Sequence, residues 1–185
     1  MRRALALSLL LVCAASPAAA QEQRLFVDGD SLAVGTRPYL PGLLPGWSIQ
    51  TSAAVGRHAS DGPGVLRSMG SALPAVVAIS LGTNDDPRNA GAFRSAIEQT
   101  LAVAGPGRCV VWATIQRPPV AGTAYTAFNT ILRAEGRLHP NLRVVRWRRL
   151  ARAHPEWLGP DRVHVDGIGY QARARAYADQ IRRCP

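Results

Sequence analysis

The sequence predicts an α/β fold in which helices cover both faces of a five-stranded parallel sheet. Five short apolar runs, mostly rich in Val and Ile and bounded by Gly, Pro or Asn, recur along the chain. Segments with apolar residues at helical spacing separate them, and that alternation is the pattern of a parallel sheet joined by crossover helices. A length of 185 residues suits one domain.

The first strand is expected at Arg24–Val27, ahead of Gly29, and the first helix after Ser31. Trp47–Thr51, introduced by Pro45 and Gly46, is the second strand, and a helix runs from about Gly62 to Met69. The most hydrophobic strand, Ala75–Leu81, lies between Pro74 and Gly82, and a helix over about Asn89–Val103 leads to the fourth strand, Cys109–Ile115. Thr123–Leu138 reads as helix and Leu142–Trp147, introduced by Asn141, as the last strand. The final helix, about Gly167–Arg183, carries Tyr170, Ala174, Tyr177, Ala178 and Ile181 at helical spacing, with Arg173, Arg175 and Arg182 elsewhere on its circumference. In such a sheet, chemistry belongs at the carboxyl ends of the strands.

Composition narrows the function classes. Blocks of Val, Ile, Leu and Ala exclude whole-chain disorder, and 17 Gly with 14 Pro, aperiodically placed, exclude a collagen-like or low-complexity protein. Arg2 and Arg3 precede an apolar run from Ala4 to Ala15, and Pro17 leads to Ala18–Ala20: a secretory signal cleaved after Ala20, leaving residues 21–185 as the domain. The run is too short to span a bilayer, which takes ~20 residues. Cys13 follows Val12 rather than the small residue that a lipid-attachment signal requires, so a cleaved, exported, periplasmic or secreted protein is expected.

All 22 basic residues are Arg, and the formal net charge is +10. The dense stretch from Arg143 to Arg152 would suit phosphates. No nucleic acid is expected as a partner, since export removes it and no recognition motif is present. A solvated basic surface, weakly attracted to an anionic envelope, is expected instead. The protein is expected to be a monomer.

Three loops carry unusual residues. Ser31, in Val27-Asp28-Gly29-Asp30-Ser31-Leu32, comes just past the first strand, where it either caps the next helix or offers a nucleophilic hydroxyl. Asn84, in Leu81-Gly82-Thr83-Asn84-Asp85, either forms an Asx turn or donates its amide to an oxyanion. Asp161-Arg162-Val163-His164 precedes the last helix, and Asp three residues before His can orient an imidazole whose other nitrogen faces a nucleophile. His58 with Asp61 is a rival pair, His139 and His154 precede prolines and read as turn residues, and Asp30, Asp85 and Asp86 read as loop-ordering carboxylates. No Cys/His cluster or H-E-x-x-H spacing suggests a metal, and no cofactor is expected.

Together these loops resemble the SGNH or GDSL hydrolases, whose signature blocks occur in this order on a flavodoxin-like, three-layer α/β/α sandwich. Gly29-Asp30-Ser31-Leu32 matches the first block, Gly56 in Ala54-Val55-Gly56-Arg57 the second, Gly82-Thr83-Asn84-Asp85 the third, and Asp161 with His164, followed by Gly169-Tyr170, the last. Ala33 stands where a G-x-S-x-G elbow needs its second glycine, so an ordinary α/β-hydrolase is not implied. The resemblance implies that Ser31 is the nucleophile, His164 its base and Asp161 the residue that orients the imidazole. It also implies an oxyanion hole made by the backbone N–H groups of Ser31 and Gly56 and the amide of Asn84. Gly107–Trp112 and His154–Leu158 look like the free-standing SGNH domains related to those of cell-wall acyltransferases. The implied activity is hydrolysis of a small-molecule or glycan-linked ester, with acyl transfer, lysophospholipase action and a non-catalytic glycan-binding module as alternatives.

Short loops without a lid-sized insertion, and few aromatic residues, lead to an expected preference for short acyl chains, with Trp157 and Leu158 as a shallow apolar wall. In an exported chain Cys109 and Cys184 are expected to pair. The last helix should return Cys184 to the edge of the sheet at which the fourth strand begins.

Overall fold

The computed structural model describes residues 22–185. The expected leader, its cleavage after Ala20 and Cys13 fall outside the described residues. The five strands are β1 (Gln23–Gly29), β2 (Trp47–Ala53), β3 (Val76–Ser80), β4 (Cys109–Ala113) and β5 (Leu142–Val145). All pair in parallel in the order β2-β1-β3-β4-β5. The helices are α1 (Ser31–Thr36), α2 (Leu40–Leu43), α3 (Gly62–Met69), α4 (Ala90–Ala104), α5 (Thr126–Leu138), α6 (Trp147–Ala153) and α7 (Gly167–Ile181). The strand order reverses between β1 and β3, and a crevice opens at such a switch point.

Alternation along the buried strands divides the core into two layers. Phe26, Val77, Ile79, Val110 and Trp112 face α3, α4 and α5, where Leu66, Phe93, Ile97 and Phe128 cover them. Leu25, Val27, Val76, Ala78, Val111 and Val145 face the other way, against Leu40, Trp147, Ala174, Tyr177 and Ile181 of α2, α6 and α7. The result is the expected α/β/α sandwich. On one face Phe93 stacks on Phe128 with ring centroids 4.2 Å apart and meets Trp112 edge-on at 6.0 Å.

Differences from the sequence-based expectation are local. β5 ends at Val145, and Trp147, expected to close that strand, instead opens α6, buried on the α7 side. Neither α2 nor α6 was expected; each is short and has no side-chain cap to announce it. Arg173, expected away from the apolar face of the last helix, is buried with 2% of its surface exposed. The register sets up the site. Gly29 pairs with Ala53 on one side and Ser80 on the other, so the loops that follow β1, β2 and β3 begin level with one another.

Candidate active site

Asp30, rather than Ser31, caps α1. Its Oδ1 accepts the Leu32 N–H at 3.0 Å and the Ser80 hydroxyl at 3.2 Å. Burial pushes the Asp30 carboxyl above its ordinary value, against the pull of nearby Arg173. The cap leaves the Ser31 hydroxyl free of helix duty, and Ser31 Oγ lies 2.8 Å from His164 Nε2. His164 Nδ1 in turn lies 2.5 Å from Asp161 Oδ2.

The loop that presents His164 is closed on itself. Gly159 N–H donates to the His164 carbonyl at 2.8 Å, Asp166 N–H donates to the Trp157 carbonyl at 2.9 Å, and Leu158 bridges Val165. Asp161 divides its oxygens: Oδ1 accepts the amides of Val163 and His164, both at 3.0 Å, while Oδ2 faces the imidazole. Partial burial pushes the Asp161 carboxyl up, but the His164 ring and those two amides together outweigh it and hold the group below its ordinary value. It is therefore an anion wherever a neutral imidazole needs orienting. Asp166 ends the loop by capping α7, accepting the Gly169 N–H at 2.7 Å.

Asn84 is held from two sides. Its amide donates to the Arg57 carbonyl at 3.1 Å, which spends one of its two hydrogens. Arg117 donates to the Thr83 carbonyl at 2.6 Å, and the Tyr125 hydroxyl donates to the Asp85 carbonyl at 2.8 Å. Gly56 has φ +80°, and a Cβ built there meets nothing within 4 Å. Backbone conformation, rather than neighbouring atoms, is what calls for glycine at this position.

Ser31, Asn84, Asp161 and His164 line one cleft of about 320 Å³ together with Arg117, Val120 and Val163. Gly56 does not line it, and joins it through the Asn84–Arg57 hydrogen bond. Trp157 and Leu158 line a second shallow cleft that shares Asp161 and His164.

The rival pair does other work. Asp61 accepts the His58 backbone N–H at 3.0 Å, while the His58 ring lies 3.6 Å from Asp85. Asp85 also accepts the Ala59 N–H at 3.0 Å and Asp86 binds Arg88, so both order loops. His139 sits 3.4 Å from Glu135, and His154 stacks on Trp157 with centroids 4.0 Å apart.

Two supports were not anticipated. Arg57 pairs with the buried Asp28 at 2.5 Å and donates to the Ser52 carbonyl at 2.6 Å, tying the end of β2 to β1. Burial still pushes Asp28 up to about 6 despite that guanidinium. Arg173 donates to Ser80 Oγ at 2.9 Å, directly behind Asp30, and lies over the rings of Trp147 and Tyr177 at 5.3 and 5.0 Å. Nothing local in the sequence marks either arginine, because their side-chain partners Asp28 and Ser80 are distant along the chain.

No family model and no curated protein matches the sequence. Solved structures do. The C-terminal catalytic domain of the peptidoglycan O-acetyltransferase A of Streptococcus pneumoniae matches over 88% of this chain and 92% of its own, with TM-score 0.70 and 23% identity. A GDSL-like lipase from Bacteroides thetaiotaomicron matches over 89% and 90%, with TM-score 0.69 and 17% identity. A family 3 carbohydrate esterase from Talaromyces cellulolyticus matches over 87% and 97%, with TM-score 0.68 and 19% identity. With the sheet order, the level loops and the Ser31–His164–Asp161 relay already in place, the chain has the fold shared by the SGNH/GDSL hydrolases.

Proposed function

We propose that the protein is a serine ester hydrolase that works through an acyl-enzyme, and the relay from Ser31 Oγ to His164 Nε2 to Asp161 Oδ2 carries that reading. Ser31 Oγ attacks the ester carbonyl as its proton passes to His164 Nε2, and the carbonyl π electrons move to oxygen. Collapse of the tetrahedral intermediate breaks the bond to the alcohol, which leaves with the proton from Nε2. Water then repeats the sequence, its proton going to Nε2 and on to Ser31 Oγ as the acid departs. Asp161 keeps Nδ1 protonated and stabilises the transient imidazolium. The Ser31 amide and the second N–H of Asn84, both in the cleft, hold the oxyanion, and the Gly56 amide, outside the cleft lining, is the third donor that the resemblance implies; loss of such a donor costs about 3 kcal/mol of transition-state stabilisation.

The substrate we propose is a short acyl ester, acetyl above all, on a glycan. A cleft of about 320 Å³ bordered by Arg117 and Val120 offers little room for a long chain. A carbohydrate esterase and a peptidoglycan O-acetyltransferase domain share the fold. The second of these also favours a related reading, acyl transfer to a sugar hydroxyl in place of water. We propose that the protein acts outside the reducing cytoplasm, which the Cys109–Cys184 disulfide supports.

The test is a chain-length series of para-nitrophenyl esters run beside O-acetylated glycan, with fluorophosphonate labelling. Ser31 alone should label, the specificity constant should level off after a few carbons, and an added glycan acceptor should divert acetyl only if transfer is the native reaction. A folded Ser31→Ala protein with near-normal turnover would overturn the mechanism. A steady rise to octanoyl and longer esters would overturn the short-chain preference.

A further inference from the structure

The strands are parallel, so the loops after β1, β3, β4 and β5 share one edge of the sheet. At that edge, beyond the Ser31 cleft, lies a separate cavity of about 450 Å³ lined by Thr114, Arg133, Arg146, Arg148, Arg149 and Arg152. No carboxylate lines it, and none of its five arginines is in an ion pair among the described residues. Four of them are exposed. They come from different elements, Arg133 from α5 and the rest from α6 and its start.

The floor is ordered: the Thr114 hydroxyl donates to the Val145 carbonyl at 3.2 Å and accepts the Arg148 N–H at 3.0 Å. Within α6, Arg149 and Arg152, and Arg148 and Arg152, stand three and four positions apart, with Arg146 at the N-cap position of the helix. In a helix that spacing sets like charges side by side and destabilises it. A five-guanidinium cavity without a carboxylate has an unmet demand for anions, and guanidinium pairs with phosphate or carboxylate oxygens through charge-assisted hydrogen bonds. The cavity is also close to the reaction. Thr114 in its floor and Arg117 in the Ser31 cleft belong to the same loop, three residues apart, so their Cα atoms are within about 11 Å.

We propose that this cavity is a subsite for the phosphate or carboxylate groups of a polyanionic polymer whose ester is presented to Ser31. The proposal rests on the esterase reading and adds the substrate class: an O-acylated anionic polymer rather than a neutral glycan. Because the subsite grips the polymer and not the acyl group, it acts on binding of the chain and not on chemistry at the carbonyl.

The experiment compares the protein with Arg146→Gln/Arg149→Gln and with a control, Arg175→Gln/Arg183→Gln, that removes the same charge from the last helix and the residues after it. At low ionic strength, calorimetric titration with tripolyphosphate and with polygalacturonate separates phosphate from carboxylate chemistry. The cavity variant should lose about tenfold in affinity, the order of one or two charge-assisted hydrogen bonds, and the control less than about twofold. On O-acetylated polygalacturonate the cavity variant should show a KM raised by about the same factor with kcat kept, while neutral acetylated xylan and para-nitrophenyl acetate stay unchanged. Equal loss in the control variant, or an unchanged KM on the anionic polymer, would overturn the subsite. Failure of the unaltered protein to hydrolyse para-nitrophenyl acetate would instead overturn the esterase reading, and the titrations would still decide whether the cavity binds anions.

Discussion

Asp161 does two jobs with two oxygens, and the division matters more than its charge. Oδ1 ties the loop together through the amides of Val163 and His164, while Oδ2 lies 2.5 Å from His164 Nδ1 and, in the proposed mechanism, selects the tautomer whose Nε2 lone pair faces Ser31. Asp161→Asn keeps an acceptor for the loop but can present an N–H to the ring, so the protein should stay folded. Its kcat should fall by about 10⁴-fold, against about 10⁶-fold for Ser31→Ala. Circular dichroism and burst-phase kinetics on one preparation check both halves of the statement. Beneath Ser31 the support is electrostatic. Asp30 is fully buried and Arg173, reached through the Ser80 hydroxyl, is the cation placed to balance it. Arg173→Met should destabilise by about 3 kcal/mol because it strands a buried charge, and adding Asp30→Asn should recover part of the loss. Additive losses in denaturant titrations of the single and double variants would show that the two groups are not coupled. Ser31, Asn84, Asp161 and His164 were legible in sequence because each stands in a short loop at the end of a strand, surrounded by glycines and acids that a core would not hold. Arg57 and Arg173 were not legible, since their partners Asp28 and Ser80 are decided by packing.

At the scale of elements, the segment after β3 shows how a loop becomes rigid enough for chemistry. Gly82 leaves the strand at φ +108°, where a Cβ would stand 2.6 Å from the Phe93 ring, so only glycine lets the chain turn against α4. The Leu81 carbonyl then accepts the Trp112 indole N–H at 3.0 Å, and those of Thr83 and Asp85 meet Arg117 and Tyr125. Tyr125→Phe keeps the ring in the core and removes only the hydroxyl. It should lower stability by about 1 kcal/mol and slow fluorophosphonate inactivation about fivefold by loosening Asn84. Unchanged inactivation with lowered stability would mean that Arg117 alone holds the loop. The strands β3 and β4 were readable because central strands of a parallel sheet are buried on both faces and so are apolar throughout. Helix α6 was not: Arg-rich, seven residues long and uncapped, it is held by Trp147 and Ala151 against the α7 face of the sheet, a tertiary cause that no local pattern reports.

Across the whole molecule, the candidate site and the disulfide sit at opposite edges of the sheet. Ser31, Asn84 and His164 belong to the carboxyl edge. Helix α7 starts there, just after His164, and runs back to bring Cys184 to Cys109, the first residue of β4, with Cα atoms 5.8 Å apart. The bond joins residues 75 positions apart, and it closes β4, α5, β5, α6 and α7 into one loop. On a chain-entropy argument a loop of that length stabilises the fold by about 4 kcal/mol, acting mainly on the unfolded chain. Reduction, or Cys109→Ser with Cys184→Ser, should therefore lower the denaturant midpoint and steepen the transition, because the unlinked unfolded chain exposes more surface. Turnover of para-nitrophenyl acetate by the remaining folded protein should stay within about twofold, because nothing at the amino edge touches the relay. A reduced protein of equal stability would contradict the entropic account. A folded reduced protein with much lower kcat would show that α7 transmits strain from the disulfide to the His164 loop, and the two edges would then have to be treated as one mechanical unit.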